Sequence, residues 1–407
     1  MKKNNENLKI LLTTNTLGKW GEINGVADCY NYLIPEFKNQ DITLDIITFG
    51  PQDKIEKIDN ITIITYRPKF PEFFLDKIEP VLRIGPGVRF SRTINDCLSE
   101  NKYDVVHIAS PCPLGHLALS IAERDNSAKI GVYHTLIAQY VSERIAKAIN
   151  VEKNHPIPTS AESITNEIIS NFYNNMDLIL VPSKYVIELI NKSISPPLKL
   201  WTRGVDLEKF NKKYRTTETN ERAKAIYVGR IEPEKNLELL INVFSDRDNC
   251  DLVIVGEGSY LNELKQRLPN AKYTGKLRDK LLAEEYANAD FFVFPSETDT
   301  YGQVVIQAHS SGLPVIVTDK GGPKEQIIHG ENGFIATNIH SFRYYIDTLI
   351  NNEELRKKMS DNAYYNAINN PWHERCKELI DHYYLALNSR TFKTEIPPTF
   401  IPQLSLS

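Results

Sequence analysis

Apolar residues fall in short blocks along this chain, separated by stretches of helical period. Residues 8–14 (LKILLTT) form the first block. Residues 25–37 (GVADCYNYLIPEF) then space their apolar side chains near helical intervals, so the pattern predicts a strand followed by a helix opening at about Val26. ITLDIITF, DVVHIA, KIGVYH and LILVPS read as further buried strands, with helices such as LGHLALSIAER between them. The same order then starts again. AKAIYVG, CDLVIVG, DFFVFPS and LPVIVTD are strands, followed in turn by NLELLINVF, YLNELKQRL, YGQVVIQAHSSG and GPKEQII as helices. This predicts an α/β chain of two doubly wound, Rossmann-like parallel sheets. A polar, charged stretch at 195–222 divides them, giving domains at 1–200 and 201–370. Residues 391–407 hold three prolines and no periodicity, and read as an extended or disordered tail.

Composition narrows the class. At 407 residues the chain exceeds one ordinary core. Its 41% hydrophobic and 25% charged residues are globular values, and a net charge of −4 gives no general pull toward nucleic acid. Five scattered cysteines without CxxC spacing argue against a disulfide framework or a zinc site and suit a reducing cytosol. The apolar run at the N-terminus is too short for a signal peptide, and nothing approaches the roughly 18 residues of a membrane helix. The expectation is a cytoplasmic protein that at most touches the inner membrane surface. Residues 67–90 mix basic side chains with Phe70, Phe73 and Phe74. They suit either a lipid surface or packing against the first domain.

In doubly wound sheets, ligands bind beyond the carboxyl ends of the strands, so those ends carry the candidate chemistry. YVGRIEPEK places Gly229, Arg230 and Lys235 after one strand: a diphosphate clamp or a solvated surface pair. VIVGEGSY has GxG without the full dinucleotide fingerprint. PSETDTYGQVVIQA places Asp299, Thr300, Tyr301 and Gly302 at a helix start suited to an anion, with Gln307 further along the helix. Asp299 and Gln307 serve either as an N-cap and a surface amide or as ligand contacts. Gly321 and Gly322 let the backbone approach something closely. In the first half, Gly18, Gly21 and Gly25 form a flexible loop, His134 ends a strand, and His107, Ser110 and His116 are expected near one rim. Nothing at these strand ends has metal-ligand spacing and the chain has no HExxH, so no divalent-metal site is expected.

Together these segments resemble the retaining, nucleotide-sugar-dependent glycosyltransferases of family four, which have the two-domain GT-B fold. INGVA, DVVHIASPCPLG, GVYHT, VPSKYV, WTRGVDLEKF, YVGRIEPEKNLELL, VIVGEGSY, FVFPSETDTYGQVVIQAHSSGLPVIVTDKGGPKE and ENGFI stand in the family's order over almost the whole chain. The likeness is greatest to the mannosyltransferase and glycolipid glycosyltransferase subgroup. It implies a helix at 371–390 crossing back to the first domain. It also implies that Arg230 and Lys235 hold the donor diphosphate, that Gly25, Gly229, Thr300, Tyr301 and Gly302 touch phosphates or sugar, and that Leu277 sets a backbone group against the base. His134 would lie at the reacting face of the sugar, with Asn24, Arg203 and Asp206 on the acceptor side of the cleft. The family carries two carboxylates eight positions apart, usually both Glu. Here the pair is Asp299 and Gln307, which keeps the first charge and replaces the second by an amide, at a cost on the order of 1 kcal/mol of donor affinity. The implied reaction needs no cofactor and no metal. It moves a hexosyl group, mannose or glucose, to a glycolipid or surface saccharide. The competing readings are a scaffold with a degenerate donor site, and a sugar-nucleotide epimerase or phosphorylase on the same fold.

Overall fold

The computed structural model describes residues 7–15, 17, 25–67, 92–152, 154–216 and 222–395. The Gly18 and Gly21 turn, Asn24, the phenylalanine-bearing part of residues 67–90 and the chain beyond 395 lie outside them. Continuous apolar runs fold as buried parallel strands because a sheet covered on both faces needs apolar side chains on both. The first sheet contains β1 (Leu8–Thr13), β2 (Ile42–Phe49), β3 (Lys54–Ile58), β4 (Ile61–Tyr66), β5 (Val105–Ile108), β6 (Ala128–Val132), β7 (Leu178–Val181) and β8 (Leu198–Leu200), ordered 3-4-2-1-5-6-7-8. Only β3 runs antiparallel, as an exposed edge. The second sheet contains β9 (Ala223–Val228), β10 (Cys250–Val255), β11 (Lys272–Gly275), β12 (Phe291–Phe294), β13 (Val315–Thr318) and β14 (Gly333–Ala336), all parallel in the order 11-10-9-12-13-14.

Two apolar layers sandwich the first sheet. One joins it to helix Gly25–Phe37 and includes Tyr30, Leu33, Trp201 and Tyr383, while the other includes Leu114, Phe172 and Val186. The second domain has its own core, from Ala225 through Phe294 to Ile346. Helix Trp372–Glu395 packs against helix Gly25–Phe37 and β6, so the chain crosses back onto the first sheet. The crossing is tight, because a Cβ on Gly204 would lie 2.7 Å from the backbone of Trp372.

Three sequence expectations change. The 195–222 divider holds β8, which extends the first sheet beside β7. Its apolar Leu198 and Leu200 are short enough to read as a linker. GPKEQII makes one 3-10 turn, Pro323–Gln326, because Ile327 is extended. The final helix continues to Glu395, into residues read as tail, since the first helix-stopping prolines are Pro397 and Pro398.

Candidate active site

β9 pairs with β10 on one side and β12 on the other, so the strand order reverses between β9 and β12. At such a switch point the connections leave to opposite faces and open a crevice at the carboxyl ends. Gly229, Arg230 and Lys235 follow β9, and Asp299 to Gly302 follow β12. Lys235 is buried in the turn Pro233–Lys235, and its Nζ donates to Oδ2 of Asp299 over 2.7 Å. Burial alone would raise the Asp299 pKa, but Lys235 outweighs it and holds the carboxyl below the usual range. Arg230 pairs with Glu234 at 2.9 Å. It also reaches across to the first domain, with its guanidinium 5.0 Å from the Tyr140 ring centre and a hydrogen bond to the Tyr140 hydroxyl.

Asp299 does not cap the following helix. Gly302 occupies the N-cap of helix Gln303–Ser310 at φ +79°, with no side-chain cap. A Cβ there would sit 2.9 Å from Pro323. The close approach allowed by Gly322 is to the protein itself: its N–H donates to the Asp299 carbonyl over 2.8 Å, and a Cβ would lie 2.0 Å from the Thr300 carbonyl oxygen. The tyrosine and threonine of this loop face the first domain. Thr300 Oγ1 donates to the His134 carbonyl (2.8 Å), and the Tyr301 hydroxyl donates to the Arg203 carbonyl (3.2 Å).

His134 and Arg203 form the opposite wall. Both are buried, and Arg203 donates through one terminal nitrogen to Nδ1 of His134 while stacking 4.8 Å from the Trp201 ring centre. The other terminal nitrogen, NH1, is buried without a hydrogen-bond partner. Arg230 and Lys235 are balanced by Glu234 and Asp299, whereas Arg203 has no carboxylate partner among the described residues. A buried, unsatisfied guanidinium favours an anion.

The structure therefore assembles His134, Arg203, Arg230, Lys235, Asp299, Thr300, Tyr301 and Gly302, with Gly229 at the end of β9. Other expected residues stand apart from them. Gln307 is buried, and its amide oxygen accepts from the Tyr286 hydroxyl at 3.4 Å. The Asp206 carboxylate accepts from Glu208 N and Lys209 N, closing its own turn. Leu277 lines a separate recess of about 300 Å³ with Thr274 and Leu281. Gly25 begins the first helix, and no described residue lies within 4 Å of where a Cβ would be. The expected rim of His107, Ser110 and His116 does not form. Alternation along β5 turns His107 toward Tyr30, whereas exposed His116 meets Phe172 in the opposite layer. Sequence reasoning missed Glu234, whose i,i+4 spacing from Arg230 is a usable signal. It also missed Tyr140, for which the sequence has no local cue.

A two-domain cleft with cations at the switch point of the second sheet is the frame of a GT-B glycosyltransferase. The comparisons agree. Residues 23–209 match the model for glycosyltransferase family 4, and residues 208–365 match the model for glycosyl transferases group 1. The chain is 31% identical over 297 residues to a GDP-mannose-dependent alpha-mannosyltransferase of Mycolicibacterium smegmatis, covering 71% of this chain and 76% of that protein. It is 26% identical over 331 residues to an alpha-monoglucosyldiacylglycerol synthase of Streptococcus pneumoniae, covering 76% and 70%. Sucrose-phosphate synthase from Thermosynechococcus elongatus has the same fold, with a TM-score of 0.74 at 16% identity over 95% of this chain and all of that one. The chain belongs to glycosyltransferase family 4, in its mannosyltransferase-like subgroup.

Proposed function

We propose that this glycosyltransferase moves a hexosyl group, mannose or glucose, from a nucleoside-diphosphate sugar to a glycolipid or surface-polysaccharide acceptor, with retention of configuration. The observation that carries the reading is the Lys235–Asp299 pair beside Arg230 at the β9/β12 switch point, facing buried His134 and Arg203. The incoming diphosphate replaces Glu234 and Tyr140 as the partner of Arg230. Arg230 and Lys235 then offset the charge that grows on the leaving phosphate, so this step is assigned to them and not to a divalent cation. The acceptor hydroxyl attacks the face from which the nucleotide departs, and a phosphate oxygen takes its proton. His134 borders the sugar at that face. The names of the mannosyl- and glucosyl-transferring relatives support the choice of hexose and of a lipid-linked acceptor. Among the described residues no helix is long and apolar enough to cross a membrane, so an acceptor in a bilayer requires contact at the membrane surface.

A thermal-shift titration with GDP, UDP, GDP-mannose and UDP-glucose tests the donor site. A ligand bound only by the folded state stabilises it by RT ln(1 + [L]/Kd). One nucleotide family should raise Tm, and Arg230→Ala should abolish the rise. No shift at millimolar concentration would replace this reading by a degenerate donor site. Gln307, turned to Tyr286, is the feature that would then carry that alternative.

A further inference from the structure

Behind the cleft wall, His134 is the first member of a buried chain of polar groups that crosses the first domain. Arg203 donates to its Nδ1. Its Nε2 lies 3.1 Å from the Tyr30 hydroxyl, which in turn lies 2.8 Å from Nε2 of His107. Nδ1 of His107 lies 2.8 Å from the Tyr383 hydroxyl on helix Trp372–Glu395. Tyr30, His107 and Tyr383 are fully buried. Their rings meet edge to face, with centres 5.6 Å apart for Tyr30 and His107 and 5.8 Å apart for His107 and Tyr383.

The protons in this chain have one consistent arrangement. A guanidinium only donates, so Nδ1 of His134 accepts and the ring proton sits on Nε2. That proton is given to the Tyr30 oxygen. The single Tyr30 O–H is then left for Nε2 of His107, which must accept. His107 therefore carries its proton on Nδ1 and gives it to Tyr383. The reverse direction would set an N–H of His134 against an N–H of Arg203. Neither ring can relieve the constraint by charging, because burial and then Arg203 push both imidazoles down, His107 to about 3.

We propose that Tyr30, His107 and Tyr383 are positioning residues that hold one tautomer and one ring orientation of His134 and tie the returning helix to the sugar-transfer cleft. His134 also receives the donor loop, through Thr300 on its carbonyl. The relay therefore fixes the wall against which the donor loop closes. The same contacts could serve stability alone, and the two roles predict different signatures. The kinetic part rests on the function proposed above, whereas the tautomers do not.

The test uses the full chain carrying ring-¹⁵N histidine. Two-bond proton–nitrogen spectra report the tautomers, with His134 and His107 assigned from His134→Asn and His107→Gln. The relay requires opposite tautomers, Nε2–H on His134 and Nδ1–H on His107, with His107 losing its single tautomer in Tyr30→Phe. In transfer assays, Tyr30→Phe should lower kcat about tenfold with donor KM within about twofold, as expected for misplacement rather than lost binding. Tyr383→Phe should have a smaller effect. His107→Gln, which keeps an acceptor for Tyr30, should retain kcat better than His107→Leu. If Tyr30→Phe fails to fold, Tyr383→Phe serves instead: it removes only the terminal oxygen, and the relay then requires its His107 signals to shift. The same tautomer on both rings, or a His107 tautomer unmoved by the substitution that folds, would overturn the proposal. So would variants that lower Tm alike while leaving kcat at the wild-type value. If the wild-type chain transfers no sugar, the function reading fails and the spectra still decide the relay.

Discussion

Asp299 and Lys235 make each other tolerable inside the cleft. Removing one partner of a buried pair leaves the other charge uncompensated, which costs about 3 kcal/mol when burial is complete. Asp299 retains some solvent contact, so Lys235→Ala should cost about 2 kcal/mol at neutral pH, read by urea unfolding. The sign with pH follows. In the wild type the folded Asp299 pKa lies below its unfolded value, so its stabilisation is present above about pH 4 and is lost as pH falls through the folded value. In Lys235→Ala the Ser296 hydrogen bond and Arg230 oppose burial without Lys235, and the folded pKa rises. The penalty of the substitution should then shrink on acidification, and a penalty independent of pH would show that the pair is not ionic. Gln307 presents the opposite case. A neutral amide suits a buried site whose neighbour is the Tyr286 hydroxyl. Gln307→Glu should lower Tm of the free protein, because its charge is buried with one neutral donor. If ribose hydroxyls reach this position, it should also tighten nucleotide binding by on the order of 1 kcal/mol, about fivefold, in calorimetry. Lower Tm without tighter binding would place Gln307 outside the donor contacts. At this scale the sequence made Arg230, Lys235 and Asp299 legible because their motif spacing is local. It left out Tyr140, Tyr30 and Tyr383, whose roles come from contacts 77 to 276 positions apart in the chain.

Elements were legible where burial is two-sided. FFVF and LILV are completely buried and read directly as strands. The edge strand Lys54–Ile58 is exposed throughout, and its alternating charges give no core signal. Short β11 at the other sheet's edge is equally polar, and KYTG does not announce a strand. The donor loop shows how an element can depend on a neighbour's backbone. Two glycines open space on the Thr300 side, and Gly322 lies so close that a methyl group would meet the Thr300 carbonyl oxygen at 2.0 Å. Gly322→Ala must push the loop away, at about 2–3 kcal/mol of overpacking. It should lower the unfolding midpoint and also weaken nucleotide binding, since Asp299 to Gly302 move together. A variant with wild-type midpoint and binding would mean that the two loops slide without coupling.

The whole molecule is two sheets joined where the chain crosses twice, at Gly204 and at Trp372, with Val205 N donating to the Asn370 carbonyl over 2.9 Å. Contacts farther out also join the two domains. Lys147 Nζ meets Ser259 Oγ at 3.0 Å on one side. On another, the Glu325 carboxylate accepts from Lys184 N and Tyr185 N, at 2.8 and 2.6 Å, at the start of helix Lys184–Ile190. A carboxylate on free helix N–H groups is a favourable pairing, and here it joins the domains. Hydrogen bonds to a charged group contribute about 1.5–3 kcal/mol each before solvent exposure is counted. Glu325→Ala should therefore shift the closed population by about tenfold, an energy near 1.4 kcal/mol. Small-angle scattering of the free protein should show a larger radius of gyration. Nucleotide affinity should hardly change, because Arg230, Lys235 and Asp299 all belong to the second domain. kcat should fall, because transfer needs His134 and Arg203 brought to the donor. An unchanged radius together with an unchanged kcat would assign closure to the Arg230–Tyr140 contact instead. In that case the same residue would clamp the diphosphate and hold the empty cleft shut.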